Sequence, residues 1–255
     1  MYDIAASIVT YHPDMPQLQA AVASFAEPEL QLHLTLVDNS CDATVTDSLR
    51  PLTPDVIAAP RNGGYGYGHN LALHAMPDSR YWLVMNPDVE IHPGTLKAMV
   101  AAMDADPSIV LMVPKVLFPD GRLQPLNKRL PTVFDFFVRR FLPKGWCEQR
   151  MRQYEMRDEG YDAPTEVPFC SGCFMLFRRE VAEKLGGFDE RYFMYLEDCD
   201  ITRRAAQYGR CLYIPYAVIT HHWQRGSHKS WRLMRVMLHS MWVYFNTWGW
   251  RWMSS

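Results

Sequence analysis

The sequence has no excess of either charge sign: 26 Lys plus Arg stand against 28 Asp plus Glu, a formal net charge of −2 at pH 7. A chain so balanced has no general basic field for a nucleic-acid backbone, so its electrostatic work must be local. Cysteine is scarce. The six, at 41, 147, 170, 173, 199 and 211, show no framework spacing, which excludes a disulfide-stapled scaffold and points to reduced thiols in a cytosolic setting. Cys170 and Cys173 have the spacing of half a zinc or redox site, but nothing in the chain completes it, so they are read as structural. No run of about 18 uncharged apolar residues occurs and no basic stretch precedes the short apolar run at the N-terminus, so neither a spanning helix nor a secretion signal is expected. The chain also lacks G-x-x-x-x-G-K-[ST] and any glycine loop after its first strand, which sets aside NTPases and dinucleotide dehydrogenases.

What is present is a globular composition, 48% hydrophobic in 255 residues, enough for one large α/β domain with appendages. Apolar runs at 4–10, 32–37, 56–58 and 81–85 alternate with helical patterns at 14–25, from 44, at 68–75 and at 93–104, the mark of successive βαβ units on a largely parallel sheet. Pro16 and Pro93 read as helix-start signals. The stretch 114–168 is richer in Pro, Arg and aromatics and reads as a variable, partly mobile insert, with Phe118-Pro-Asp-Gly121 as a hairpin turn. A strand at 169–177, helices at 179–185 and 198–208, and a strand at 211–214 complete the core.

In such sheets ligands gather beyond the carboxyl ends of the strands. Those ends read Thr10-Tyr11-His12, Asp38-Asn39-Ser40, Arg61-Asn62-Gly63-Gly64 and Asn86-Pro87-Asp88, polar or glycine-rich every time. Gly63 to Asn70 lies between a strand and a helix, where glycines let backbone amides approach a phosphate, though glycines also serve a tight bend. Asp88 follows an apolar strand, where it offers an oxygen ligand to a hard cation, and Mg²⁺ needs only one or two protein carboxylates beside a diphosphate, though Asn-Pro-Asp is also ordinary turn chemistry. Glu197, Asp198 and Asp200 put three carboxylates in four positions. Their repulsion suits a cation or a proton-transfer role, while a helix N-terminus also welcomes acids. His221 and His222 offer imidazole nitrogen late in the chain.

Taken in order, these motifs resemble the family-2 glycosyltransferases of the GT-A fold, especially the bacterial rhamnosyltransferase-like branch. Ser7-Ile-Val-Thr-Tyr11 and Val37-Asp-Asn-Ser40 are similar to its nucleotide-binding strands, Arg61 to Gly64 with Gly66 to Asn70 to its donor loop, and Asn86-Pro87-Asp88 to its metal motif. Ser171-Gly-Cys173, Gly186-Gly-Phe-Asp189 and Phe193-Met-Tyr-Leu-Glu-Asp198 resemble the acceptor-side strand and catalytic acids, and His221 with Ser227-His-Lys-Ser230 the C-terminal metal-histidine segment, with His222 as the other candidate. Many relatives carry an aspartate where Asn86 stands, so binding should rest on Asp88. The resemblance implies a single GT-A domain with a Rossmann-like, mostly parallel central sheet flanked by helices and followed by a C-terminal amphipathic helix. Within it, 1–113 would be the nucleotide-sugar half and 114–222 the acceptor half, leaving 223–255 as a basic aromatic segment.

The resemblance also implies roles. Thr10, Tyr11, Asp38, Asn39, Arg61, Asn62, Gly63, Gly64, Gly66, Asn70 and Asn86 would frame the donor, with Asp38 on the base or ribose. Asp88 and His221 would hold Mg²⁺ or Mn²⁺, Asp198 would be the base of an inverting transfer, and Glu197 would orient the site. The implied donor is dTDP-L-rhamnose and the acceptor a saccharide or lipid-linked glycan of O-antigen or capsule synthesis. Competing readings are a sugar-phosphate nucleotidyltransferase, which would want a basic glycine loop after the first strand, and a catalytically silent glycan-binding scaffold. From Arg225 onward there is no acid, and arginines alternate with tryptophans. Such a helix suits the surface of an anionic membrane or a docked position on the core.

Overall fold

The computed structural model describes residues 1–136, 145, 147–223 and 231–252. The strands are β1 (Tyr2–Thr10), β2 (Leu32–Asp38), β3 (Val56–Ala58), β4 (Ser79–Met85), β5 (Val89–Ile91), β6 (Ile109–Leu117), β7 (Thr165–Glu166), β8 (Phe174–Arg178) and β9 (Arg210–His221). The helices are α1 (Met15–Ser24), α2 (Ala43–Leu49), α3 (Tyr65–Ala75), α4 (Thr95–Ala105), α5 (Glu148–Tyr154), α6 (Arg179–Leu185), α7 (Glu197–Ala205) and α8 (Trp231–Trp248). Start signals read from sequence are confirmed at α1, where Asp14 accepts the Gln17 N–H and Pro16 sits in the first turn. At α4 the cap is Gly94 rather than Pro93, in the left-handed region at φ 79°.

One sheet holds all the described strands, in the order β3-β2-β1-β4-β8-β6-β9-β5 with β7 beside β9. β3, β2, β1 and β4 run parallel. β8 reverses direction against β4 and β6, and β9 runs with β6. Six strands therefore share one direction, and β5, β7 and β8 oppose it. The central strands are apolar on both faces, as buried parallel strands must be, yet period two still sorts them. Ile4, Ala6, Ile8, Leu83 and Met85 pack with α1 and α4 residues Leu18, Leu96, Met99 and Met103. Ala5, Val9, Trp82 and Val84 pack on the other face with Leu73, Val181 and Ile201 of α3, α6 and α7.

The largest departure from the sequence reading is β6, a nine-residue strand where the variable insert was expected to begin at Pro114. The halves proposed at 1–113 and 114–222 divide inside it. Pro114 hides the strand in the sequence because proline cannot donate to a ladder, but it sits at a register shift between Pro114 and Lys115, facing a matching break after Ile214 in β9. Likewise β9, expected at 211–214, continues through Pro215 to His221. The expected strand at 169–177 is trimmed to β8, and the predicted turn is present: Gly121 donates to Phe118 O at 2.9 Å and Phe118 to Arg122 O at 2.8 Å.

α8 docks. Val243, Tyr244 and Phe245 are buried with Phe169, Tyr192, Leu196 and Cys199, each worth roughly 1.5–3 kcal/mol of burial. Trp248 Nε1 donates to Asp200 Oδ1 at 2.8 Å and Ser240 Oγ to Met194 O at 2.8 Å. Its opposite face leaves Trp231, Leu238 and Trp242 exposed. Among the described residues no helix is long and apolar enough to cross a membrane.

Candidate active site

The topology collects the chemistry at one sheet edge. Thr10, Asp38 and Met85 end parallel strands, and His221 ends β9, which runs the same way. β8 enters from that edge because it runs antiparallel, so the Ser171-Gly172-Cys173 turn before it lies beside Asn86, whose N–H donates to Cys173 O at 2.9 Å. On the other side of this turn the Gly172 N–H donates to Asp198 Oδ2 at 3.1 Å. Tyr65, at the start of α3, donates its hydroxyl to Gly172 O at 2.5 Å. Burial pushes the Tyr65 phenol well above its ordinary value, and the neighbouring acids Glu197, Asp198 and Asp88 add to the shift. Asp88 and Asp198 thus both lie near this turn, and the charge of each reaches the Tyr65 phenol.

Asp88 leads into β5, whose register sets Val89 opposite His221. Asp88 Oδ1 lies 3.5 Å from His221 Nε2, whereas His222 turns to Glu90, 2.6 Å away. Of the two histidines, His221 is the one that faces Asp88. Two donors of this kind fit a divalent cation that takes its remaining ligands from diphosphate oxygens and water. The described residues contain no group of three or more His, Cys, Asp or Glu side chains that could hold a metal.

The acids at the start of α7 divide by task. Asp200 is buried and structural, paired with Arg204 at 2.7 Å and bonded to Trp248. Asp198 is half-buried and accepts N–H groups from Gly172 and Cys199. Burial raises its pKa, against the pull of Lys128 and of those N–H groups. Glu197 is buried with Oε2 unpartnered, and its pKa is pushed well up, first by burial and then by Asp198. The turn that delivers both is strained: Tyr195 and Leu196 have φ of 74° and 68°, a conformation that costs non-glycine residues about 1–3 kcal/mol each.

The expected donor-framing residues do several different things. Thr10 is buried and its hydroxyl donates to Val37 O at 3.3 Å. Tyr11 is exposed, packing edge-on to His12. Asp38 is buried with both oxygens engaged, Oδ1 by Ser40 N at 2.8 Å and Oδ2 by Thr46 Oγ1 at 2.6 Å, so in this structure it shapes the loop after β2. Asn39 donates to Gly64 O at 2.9 Å, while its buried Oδ1 has no partner. Arg61 is exposed and stacks over Tyr67 at 4.4 Å, and Asn62 accepts from Gly64 N at 3.2 Å.

Asn70 and Gly66 pack and tether in this structure. Asn70 accepts from Phe188 N at 2.8 Å and donates to Phe188 O and Glu190 Oε1, which uses up its amide donors and ties α3 to the loop after α6. A Cβ on Gly66 would meet Phe188 Cβ at 2.6 Å, and one on Gly63 would meet the Tyr67 ring at 2.3 Å. Gly64, at φ 97°, lies against Phe193 O, and a Cβ on it would come within 2.0 Å of that oxygen. These glycines let the loop and α3 seat against Phe188 and Phe193.

Sequence reasoning missed Lys128 and Gln124. Lys128 lies over the Phe169 ring at 4.6 Å, held by a bridge to Phe169, and its charge reaches Asp198. Gln124 is buried against His221. Neither lies in a recognisable motif. Only the preceding turn at 118–121 announced that the chain folds back there. The segment Ser227 to Ser230 lies outside the described residues.

Comparison with known proteins agrees with this fold. The family model described as Glycosyl transferase family 2 matches residues 8–186. The N-acetylglucosaminyl-diphospho-decaprenol L-rhamnosyltransferase of Mycobacterium tuberculosis is 30% identical over 229 residues, covering 84% of this chain and 74% of that protein. Rhamnosyltransferase WbbL of Escherichia coli is 27% identical over 165 residues, 60% of this chain and 59% of its own length. Among solved structures, GalNAc-T7 with UDP, GalNAc and Mn²⁺ superposes with a TM-score of 0.66 at 16% identity, over 98% of this chain and 50% of that one. The mannosyltransferase PcManGT of Pyrobaculum calidifontis with GDP-Man and Mn²⁺ gives 0.64 at 17%, over 96% and 64%. At these identities the superpositions establish the GT-A fold alone. The chain belongs to glycosyl transferase family 2, on its rhamnosyltransferase-like branch, and is a glycosyltransferase.

Proposed function

We propose that this enzyme is an inverting, metal-dependent rhamnosyltransferase that moves L-rhamnose from dTDP-L-rhamnose to a saccharide or lipid-linked glycan in O-antigen or capsule synthesis. The observation that carries the reading is that Asp198, and Asp88 with His221, flank the same Ser171–Cys173 turn. The rhamnosyl donor is supported by the names of two curated relatives, and the metal by the Mn²⁺ in two structural neighbours. Asp88 and His221 would hold Mg²⁺ or Mn²⁺, which supplies counter-charge for the departing nucleoside diphosphate.

The chain's own residues do the rest. Asp198 takes the acceptor hydroxyl's proton as that oxygen bonds to the anomeric carbon and the carbon–phosphate-oxygen bond breaks, a single displacement with inversion. Its raised pKa makes the carboxylate a stronger base than an exposed aspartate. Glu197, buried beside it with one oxygen free, orients the acceptor. Asn39 offers its unpartnered Oδ1 to a donor N–H of the base, and Asp38 holds the loop that presents it. Residues 1–113 mainly serve the donor and 114–222 the acceptor.

The outward face of α8, with Trp231, Leu238 and Trp242 among Arg232 and Arg235, rests on the anionic cytoplasmic surface of the membrane, beside a lipid-linked acceptor. The test is a panel of nucleotide sugars and envelope glycan acceptors, with Mg²⁺, Mn²⁺ or EDTA, followed by release of nucleoside diphosphate. Release from dTDP-L-rhamnose, lost with EDTA, is expected. Pyrophosphate release would instead mark a nucleotidyltransferase, and silence across the panel a scaffold.

A further inference from the structure

Gln124 is fully enclosed, 2% exposed, and its amide touches His221 twice. Nε2 lies 3.3 Å from His221 O, and Oε1 lies 2.8 Å from His221 Nδ1. The orientation of this amide is dictated by chemistry. The His221 carbonyl can only accept, so the atom facing it must be the NH₂, which leaves the carbonyl oxygen of Gln124 facing the ring. A carbonyl oxygen can only accept, so His221 Nδ1 must carry a hydrogen. In the neutral ring the other nitrogen, Nε2, is then bare. Its lone pair faces Asp88 Oδ1 at 3.5 Å. Two acceptors facing one another with no hydrogen between them form an arrangement that a cation completes.

Gln124 is itself held firmly. Its N–H donates to Val116 O at 2.8 Å, so the strand pairing after the 118–121 turn fixes where the side chain starts. β9 fixes His221 independently, through its pairing with Val89. The two residues are 97 positions apart in sequence, and their contact exists only because the hairpin folds back along the sheet edge.

We propose that Gln124 is a positioning residue that holds His221 in the tautomer with hydrogen on Nδ1, keeping Nε2 open toward Asp88 as a cation ligand. This rests on the reading of Asp88 and His221 as the metal pair. Outer hydrogen bonds of this kind typically govern metal affinity by 10–100-fold.

The test uses the full chain and variants Gln124→Met, Gln124→Glu and His221→Ala. Met matches the shape of Gln and removes both hydrogen bonds, and Glu keeps an acceptor for Nδ1. Long-range proton–nitrogen spectra of histidine-labelled protein at about pH 8, above the ordinary imidazole range, report the tautomer without any metal, with His221→Ala identifying the signal. Mn²⁺ affinity in the presence of dTDP is read by electron paramagnetic resonance. Wild type and Gln124→Glu are expected to show hydrogen on Nδ1, and Gln124→Met a mixed or reversed tautomer with Mn²⁺ bound about 10–100-fold more weakly. If His221→Ala weakens Mn²⁺ while Gln124→Met matches wild type in both readouts, the proposal for Gln124 is overturned and the metal reading stands. If His221→Ala binds Mn²⁺ as well as wild type, the metal reading fails and takes this one with it. Should Gln124→Met fail to fold, the wild-type and Gln124→Glu spectra still decide, since hydrogen on Nε2 in either refutes the assignment.

Discussion

Replacing Asp198 by Asn probes the base directly. The change keeps size and shape but removes the proton acceptor. Loss of a general base costs about 10²–10⁴ in rate, which is about 2.7–5.4 kcal/mol of barrier at 1.36 kcal/mol per decade. The effect on folding is smaller and partly self-cancelling. Asp198 accepts from both Gly172 N and Cys199 N. Asn can satisfy one of these and turns an NH₂ toward the other, at about 1–3 kcal/mol, while removing a charge that pushes up the pKa of Glu197. For a domain of this size that amounts to a melting shift of at most about 10 °C, so the folded fraction at room temperature does not explain a hundredfold loss. The assay is nucleoside diphosphate release at saturating donor and acceptor, with donor affinity measured separately by calorimetry. The expected result is kcat down by at least about 100-fold with donor affinity within a few-fold. In wild type the base works only when deprotonated, and burial raises its pKa, so kcat should climb with pH through a limb above the usual carboxylate range. A variant that turns over near the wild-type rate, with that limb intact, would refute the assignment.

Glu197→Gln should raise the melting temperature at about pH 8 and leave it nearly unchanged at about pH 5. A carboxyl whose folded pKa lies above its unfolded value of 4.5 binds more protons when folded, so the native chain loses stability as pH rises between the two values, and Gln escapes that loss. Thermal melts at the two pH values check it, and an equal shift at both would argue against the buried charge. Gly66→Ala, which in an open helix would help by up to about 1 kcal/mol, should instead destabilise by roughly 1–3 kcal/mol because the new methyl meets Phe188. Urea titration reads the sign. Full-length protein should float with vesicles containing anionic lipid, and Trp231→Ser with Trp242→Ser should leave it in solution. Wild type that stays behind would remove the membrane reading.

The sequence by itself determined the parts that depend on neighbours along the chain. Apolar runs bounded by caps such as Asp14, and loops placed after strands, follow from local sterics and hydrogen bonding, so the βαβ order and the motif carriers Asp88 and Asp198 were legible. Local signals failed where a distant partner decides. Pro114 masked a strand because its missing N–H is harmless only at a bulge shared with β9. Asp200 looked equivalent to Glu197 and Asp198 until Trp248 and Arg204 claimed it. Asn70 and Gly66 carried a motif's spacing, but Phe188, more than a hundred residues on, gives them their tasks. His221 and His222 are adjacent in the chain and indistinguishable there. His221 ends β9 and reaches Asp88, while His222, one residue past the strand, pairs with Glu90, and only the packed hairpin brings Gln124 against the first, because ring orientation and tautomer are set by whatever lies across the sheet edge.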